Sequence, residues 1–115
     1  MKTLSLKVEV TKEERRVRDP ETGDIKLMPE EDAISNNIKN IILFWGVQKD
    51  KGLSMENRDK YYRISTALRV SFREGRDFVE LEDDLFALLK KARKEVHISP
   101  TDLLGQIEAN IEAVK

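Results

Sequence analysis

The chain has 115 residues and no cysteine, and its 21 basic and 22 acidic residues leave a net charge of −1. A chain of this length fits one domain, and the near-neutral charge provides no global field that would attract nucleic acid or an anionic membrane. The absence of cysteine excludes disulfides, thiolate catalysis and zinc sites built on thiolates. We therefore expect a single domain over residues 1–115, with a β-hairpin region at 1–28 and a helical region at 29–115.

The first ten residues alternate polar and apolar side chains, so they lack the continuous apolar core of a signal peptide. No run in the chain approaches the roughly 18 apolar residues of a membrane span. These features predict a cytoplasmic protein without a membrane partner.

The N-terminal region has the pattern of extended structure. Residues 3–11 alternate strictly, which is typical of a half-buried strand. Pro20 and Gly23 lie in a polar segment that suits a turn, and 25–28 resume an extended pattern between charged neighbours. We expect a β-hairpin or a three-stranded meander here. The aliphatic positions of the first arm are Leu4, Leu6, Val8 and Val10.

The first helix is predicted to begin after Pro29, a residue well tolerated in the first turn, with acidic residues that complement the helix dipole. Gly46 is expected to end it, and residues 48–52 to form a polar loop. Its apolar residues recur at helical spacing and define one stripe. The stripe consists of Ile34, Ile38, Ile41, Ile42 and Trp45.

Three more helices follow. Ser54 is expected to cap a helix that runs to about Glu74, and acidic residues at 82–84 begin the third. Ser99, followed by Pro100, is expected to cap the last helix. The predicted fold is α+β, an N-terminal hairpin or meander followed by a compact bundle of three to four helices. A mostly helical domain with the hairpin projecting as an arm is the alternative.

Residues with potential for chemistry have simpler interpretations. The acidic group at a single helix start does not supply converging oxygens from separate segments, so it indicates helix-end electrostatics. The only histidine is His97, and no sequence motif identifies a second zinc ligand or a catalytic partner for it. The sequence therefore predicts no catalytic residue, no metal site and no cofactor. The acidic group comprises Glu80, Glu82, Asp83 and Asp84.

Basic residues suggest a nucleic-acid site. Arg69, Arg73 and Arg76 follow helical spacing on the second helix, Tyr61 and Tyr62 are available for stacking, and further arginines lie in the hairpin. The alternative is that this positive helix pairs with the acidic C-terminal half, within one molecule or across a dimer. The hairpin arginines are Arg15, Arg16 and Arg18.

The first helix carries more apolar surface than one face requires. Residues 41–45 are apolar nearly all round, so more than one side must be covered. Either the helix is the centre of the bundle, or Phe44 or Trp45 lies at an interface with a partner or a second copy, where large aromatic residues dominate the binding energy.

The C-terminal third contains the segment Phe78–Lys91, FVELEDDLFALLKK, followed by Ser99-Pro100 and by Leu104–Ile107, LGQI. This segment resembles one in small bacteriophage proteins of unassigned function. Those proteins pair a valine-glutamate-leucine-acid-acid helix start with a closing helix that contains glycine-glutamine. The resemblance implies a phage or prophage origin, hence the host cytoplasm, and brings no catalytic residue.

Three functions remain open at this point. The favoured one is a small accessory protein-interaction module, viral and self-associating, that binds a host or viral protein and is not an enzyme. The alternative is a nucleic-acid-binding protein that uses the basic helix and the hairpin arginines. A second alternative is a ligand-sequestering protein or enzyme with a pocket between subunits, which would bring together polar side chains such as Tyr62, Arg63 or His97.

Overall fold

The structure is a computed structural model that describes all residues 1–115, and it confirms the α+β class. Two small antiparallel sheets accompany four helices. In chain order the elements are β1 (Lys2–Ser5), a 3₁₀ turn (Glu13–Arg15), β2 (Arg16–Arg18), β3 (Ile25–Leu27), α1 (Glu30–Asp50), α2 (Met55–Arg73), β4 (Phe78–Leu81), α3 (Asp83–Glu95) and α4 (Asp102–Glu112).

The first strand is shorter than predicted and has a different partner. β1 pairs with β4, with Leu4 opposite Val79, and not with the hairpin. Both residues are buried, as the alternation from residue 4 onward predicts for its apolar side. The pairing stops at Ser5, which lies opposite Phe78, the first residue of β4. One further bond joins the Leu6 N–H to the Asp77 carbonyl at 2.8 Å, and beyond it the two segments separate.

Residues 6–10 remain attached to the body through side chains of α4. Gln106 accepts a hydrogen bond from the Glu9 N–H, 2.8 Å, and donates to the Glu9 carbonyl, 2.9 Å. One turn later, Asn110 donates to the carbonyls of Ser5 and Lys7 at 3.2 and 3.3 Å. The helix thus supplies the backbone partners that a third strand would otherwise provide.

The predicted turn around Gly23 is present, and it joins β2 to β3 in a separate hairpin. Gly23 has φ +77°, a conformation that favours glycine. None of the strand residues of this hairpin is buried, so it extends from the body as an arm. Its base is fixed by the bond from the Met28 N–H to the Arg15 carbonyl, 2.7 Å.

The prediction that Gly46 ends the first helix is wrong. α1 continues to Asp50 and is terminated by Lys51, which has the left-handed conformation with φ 59°. Position 46 lies inside the helix, and glycine suits it because a β-carbon there would come within 2.6 Å of the Leu53 side chain. Its missing side chain allows the loop after α1 to fold back onto the helix.

The starts of α2 and α3 lie where the sequence predicts them, but the start of α4 does not. Ser54 caps α2 by accepting a hydrogen bond from the Asn57 N–H, 3.2 Å, and Glu82 precedes α3 as expected. The cap of α4 is not Ser99 but Thr101, whose hydroxyl accepts from the Leu104 N–H at 3.1 Å.

The four helices and the β1–β4 sheet enclose one apolar core. α1 occupies its centre, because it packs against α2, α3 and α4. This arrangement accounts for most of the apolar surplus of residues 41–45, of which Ile41, Ile42 and Trp45 are buried. No helix is both long and apolar enough to cross a membrane.

Candidate functional site

Trp45 and Phe44, the two aromatic residues predicted to lie at an interface, differ in burial in the structure. Trp45 is only 6% exposed, and its indole N–H donates to a carboxylate oxygen of Glu95 at 3.0 Å. Lys49 donates to the same oxygen at 2.7 Å. The hydrogen bond from Lys49, followed by that from Trp45, holds the pKa of Glu95 below its ordinary value. Trp45 therefore joins α1 to α3 and is mostly buried within one copy of the chain.

Phe44 is 45% exposed and lies on the outer side of α1, one turn before the exposed Val47. The pair forms a small apolar area. Scattered exposed apolar residues are normal on protein surfaces, so this area alone does not define a site.

The arm presents a larger mixed surface. Side chains of residues directly opposite in an antiparallel pair share a face, and Arg16 lies opposite Leu27 while Arg18 lies opposite Ile25. Ile25 is 58% exposed and Leu27 is 50% exposed. We call these four residues the hairpin surface: Arg16, Arg18, Ile25 and Leu27.

The hairpin also has two unpaired edges. The bonds Met28 N–H to Arg15 carbonyl and Asp19 N–H to Asp24 carbonyl fix the alternation of the ladder. By that alternation, the backbone groups of Ile25 and Leu27 point away from β2. The outer edge of β3 therefore offers free N–H and carbonyl groups beside two exposed aliphatic side chains.

The arginines of the hairpin region make local contacts. Arg15 donates to the Met28 carbonyl at 2.8 Å, and Arg18 donates to the Gly23 carbonyl at 3.3 Å. Arg16 lies 3.6 Å from Glu13. These bonds orient the three side chains along the arm, and the arm makes no extensive contact with α2.

Of the three arginines predicted to share one face of α2, two do so in the structure. Arg69 and Arg73 lie on the exposed side of the helix, but Arg76 follows the helix, pairs with Glu74 at 2.9 Å and lies over the Phe78 ring. Arg58, which the spacing argument left out, falls on the same side as Arg69 because eleven residues make about three helical turns. Tyr62, 60% exposed, lies between them. We call Arg58, Tyr62, Arg69 and Arg73 the α2 surface.

The arginines of the α2 surface lack partners. None of the three guanidinium groups has a carboxylate within 4.0 Å or donates a hydrogen bond, whereas the guanidinium of every arginine outside α2 has at least one such partner. The carboxylates of α2 itself are engaged elsewhere, Glu56 with Lys60 at 3.5 Å and Asp59 with Arg63 at 4.0 Å. No carboxylate of α2 therefore compensates the positive charge of the α2 surface.

Pairing between the basic helix and the acidic C-terminal half does occur, but at Arg63. This side chain donates to Glu82 at 2.7 Å and lies 3.7 Å from Asp84. The hydrogen bond to Glu82 raises the pKa of Arg63 above its ordinary value. Asp83 binds the N-terminal amine at 3.1 Å, so three of the four acidic residues have structural partners.

The largest concavity, about 470 Å³, is a shallow groove between the N-terminal half of α1 and the C-terminal half of α2. Lys39, Arg69 and Arg73 line it together with Glu31 and Asp32. Of Tyr62, Arg63 and His97, only His97 lines any concavity, so one copy of the chain does not gather the three residues into a pocket. No group of three or more histidine, aspartate or glutamate side chains converges as metal ligands would.

His97 lies in the link between α3 and α4. Its backbone N–H donates to the Gln48 side chain at 2.8 Å, and its carbonyl accepts from the same amide at 2.7 Å. These bonds hold the link against the last turn of α1, while the imidazole remains exposed.

Comparison with protein-family models, curated proteins and solved structures finds no match to the chain. The phage origin implied by residues 78–107 stays a prediction. Sequence reasoning missed Arg58, Ile25 and Leu27. The helical angle from Arg69 could have identified Arg58, but only the register of the hairpin reveals the shared face of the other two.

Proposed function

We propose that the chain is a protein-interaction module that associates with a second copy of itself through the outer edge of β3. The observation that supports this proposal is the free β3 edge, which carries Ile25 and Leu27 half exposed on an arm that the body does not cover. Edges of this kind pair with strands of other chains unless they are protected.

A two-fold axis at Lys26 satisfies the geometry of the pairing. In an antiparallel β3–β3 ladder centred there, Ile25 of one copy lies opposite Leu27 of the other, and their outward backbone groups can exchange hydrogen bonds. The two Lys26 side chains would face each other, but each is neutralised by Asp19 of its own hairpin at 2.7 Å. Such isologous contacts close as dimers.

The side chains favour this edge over that of β2. Pairing through β3 collects four aliphatic side chains at the centre of one face and leaves Arg16 and Arg18 at the periphery, where their charges remain hydrated. Pairing through β2 would bring the arginines of both copies together. Like charges directly opposite across a ladder are destabilising.

Light scattering behind a sizing column tests the dimer. We expect a mass of twice 13.3 kDa for the native chain. Ile25→Ser combined with Leu27→Ser should weaken the dimer about a thousand-fold, since removal of about 1 kcal/mol for each of four half-exposed side chains gives roughly 4 kcal/mol. The matched control is Val17→Ser, which removes an exposed aliphatic residue from the other face of the hairpin.

A second pair of variants separates backbone pairing from apolar contact. Leu27→Pro removes an N–H that points outward from β3, and Arg18→Pro removes one that points outward from β2, so neither disrupts the ladder inside the hairpin. Only Leu27→Pro should abolish the dimer. A monomeric native chain, or equal losses in both proline variants, would refute pairing through β3.

A further inference from the structure

We infer that the α2 surface binds single-stranded nucleic acid, with its arginines on phosphates and Tyr62 stacked on a base. This inference is independent of the proposed dimer, because the α2 surface and the arm make no extensive contact. It rests on three arginines without partners and an exposed aromatic ring on one side of one helix.

Helix stability accounts for only one of these three charges. Arg73 lies in the last turn, where a cation favours the helix dipole, but Arg58 lies near the start of α2, where a positive charge opposes it. Arg69 is internal and has no carboxylate within 4.0 Å. The two acidic residues that share its groove, Glu31 and Asp32, lie in the first turn of α1 and form no ion pair with it. A polyanion would supply the missing counter-charge.

The spacing along the helix suits an extended strand of nucleotides. At about 1.5 Å per residue, Tyr62 lies roughly 6 Å beyond Arg58, and Arg69 and Arg73 follow at roughly 16 and 22 Å. Proteins that bind single strands combine positive charge along the backbone path with aromatic rings on which bases stack. Lys39 lines the groove beside Arg69, but Glu31 and Asp32 line it too, so the path follows the residues of the α2 surface alone.

An acidic protein segment fits the α2 surface less well. Interfaces between proteins are organised around an apolar centre. Between Tyr62 and Arg69 the exposed position is Thr66, and the neighbouring Ser65 is also polar. A planar base can use the Tyr62 ring without an apolar surround, because stacking requires only the ring face.

Fluorescence anisotropy with a labelled oligothymidylate of about 20 nucleotides tests the inference. Three phosphate contacts predict that log K falls with log salt at a slope of about −2, at roughly −0.7 per contact for single strands. Arg69→Ala combined with Arg73→Ala should reduce the slope to about −0.7. The charge-matched control, Arg16→Ala with Arg18→Ala on the arm, should leave it unchanged.

Stacking is tested separately. Tyr62→Ala should weaken binding about tenfold while the salt slope remains the same, and Tyr62→Phe should retain the native affinity, because the ring is kept. All substituted side chains are exposed, so the variants should unfold at the native temperature, which a thermal melt verifies. The same samples report the dimer by light scattering, so failure of either proposal is distinguishable from failure of the other.

Three outcomes would overturn the inference. One is no binding of the oligothymidylate at about 50 mM salt, where phosphate contacts are strong. Another is an equal loss of slope in the arm control, which would indicate general attraction by net basic patches. The third is displacement by polyglutamate as effective as displacement by unlabelled oligothymidylate, which would assign the α2 surface to an acidic protein.

Discussion

Glu14 shows how one side chain can join the N-terminal region to the last helix. Its carboxylate accepts hydrogen bonds from the Thr11 N–H and hydroxyl, at 3.2 and 2.9 Å, and from the Leu103 N–H at 2.6 Å. Leu103 is in the first turn of α4, so Glu14 satisfies a free helix N–H from a distant part of the chain. Burial raises the pKa of Glu14, but the hydrogen bonds from Thr11 and Leu103 outweigh it and hold the pKa below its ordinary value.

At the residue scale we predict that Glu14→Gln lowers the free energy of unfolding by about 1 kcal/mol at neutral pH, since a charge-assisted hydrogen bond is lost. A carboxyl with a depressed folded pKa stabilises the fold above its unfolded pKa, about 4.3, and loses that contribution as the pH falls through the folded value. The difference between variant and native chain should therefore disappear at pH values below the folded pKa.

Urea unfolding at several pH values measures this difference. The control is Glu13→Gln, one residue earlier, whose carboxylate is exposed and contacts only Arg16 at 3.6 Å. Exposed ion pairs contribute little, so we expect a change within about 0.5 kcal/mol. Equal effects of the two substitutions at neutral pH would show that Glu14 does not act through the α4 N-terminus.

At the scale of elements, the two glycines inside helices should respond oppositely to alanine. Alanine favours a helix over glycine by about 1 kcal/mol. At Gly105 in α4 a β-carbon would meet open space, so Gly105→Ala should stabilise the protein by about that amount. At Gly46 a β-carbon would meet Leu53 at 2.6 Å and the Gly52 backbone at 3.3 Å. Gly46→Ala should therefore lower the free energy of unfolding by roughly 1 kcal/mol, even after the gain in helix propensity is included.

A double-mutant cycle with Leu53→Ala isolates the contact. The cost of Gly46→Ala should fall in the Leu53→Ala background, because the closest clashing atoms are gone. Thermal and urea unfolding of the four proteins provide the cycle. An unchanged cost in both backgrounds would mean that the tight approach of α1 and its loop does not explain the glycine.

The same contact explains why the end of α1 was predicted at the wrong residue. Periodicity located α1 and α2, because an apolar stripe at 3.6 residues is a local signal. A glycine, however, indicates a helix end only if it has positive φ, and Gly46 is required for a tertiary contact that local sequence does not contain. For a similar reason the alternation of residues 3–11 predicted a strand but not its partner, since β4 lies more than seventy residues further along the chain.

The candidate surfaces were predictable in part. Helical spacing brought Arg69 and Arg73 together, and it could have included Arg58. Whether an arginine is compensated depends on which carboxylates its neighbours engage, such as Asp59 with Arg63, and that is decided by packing. The hairpin surface depends on register, and a shift by one residue would have separated Ile25 and Leu27 from the arginines.

At the scale of the whole molecule, the arm and the body should differ in local stability. One face of the β1–β4 sheet is covered by helices and its Leu4 and Val79 are buried, whereas the arm buries none of its strand residues. Regions with few buried contacts open at lower free energy. Amide hydrogen exchange should therefore be slow at Leu4 and Val79, close to the global unfolding limit, and fast in β2 and β3.

The concentration dependence of this exchange connects the arm to the proposed dimer. The N–H groups of Ile25 and Leu27 point outward from β3, so they have no partner in one copy and gain one only if two β3 edges pair. Their protection should rise with protein concentration, while the N–H of Arg18, outward on β2, should continue to exchange rapidly. Exchange followed by NMR above and below the dimer dissociation constant resolves these amides individually. Equal protection at Arg18 and Leu27 would indicate general ordering of the arm, and concentration-independent exchange at all three would contradict pairing through β3.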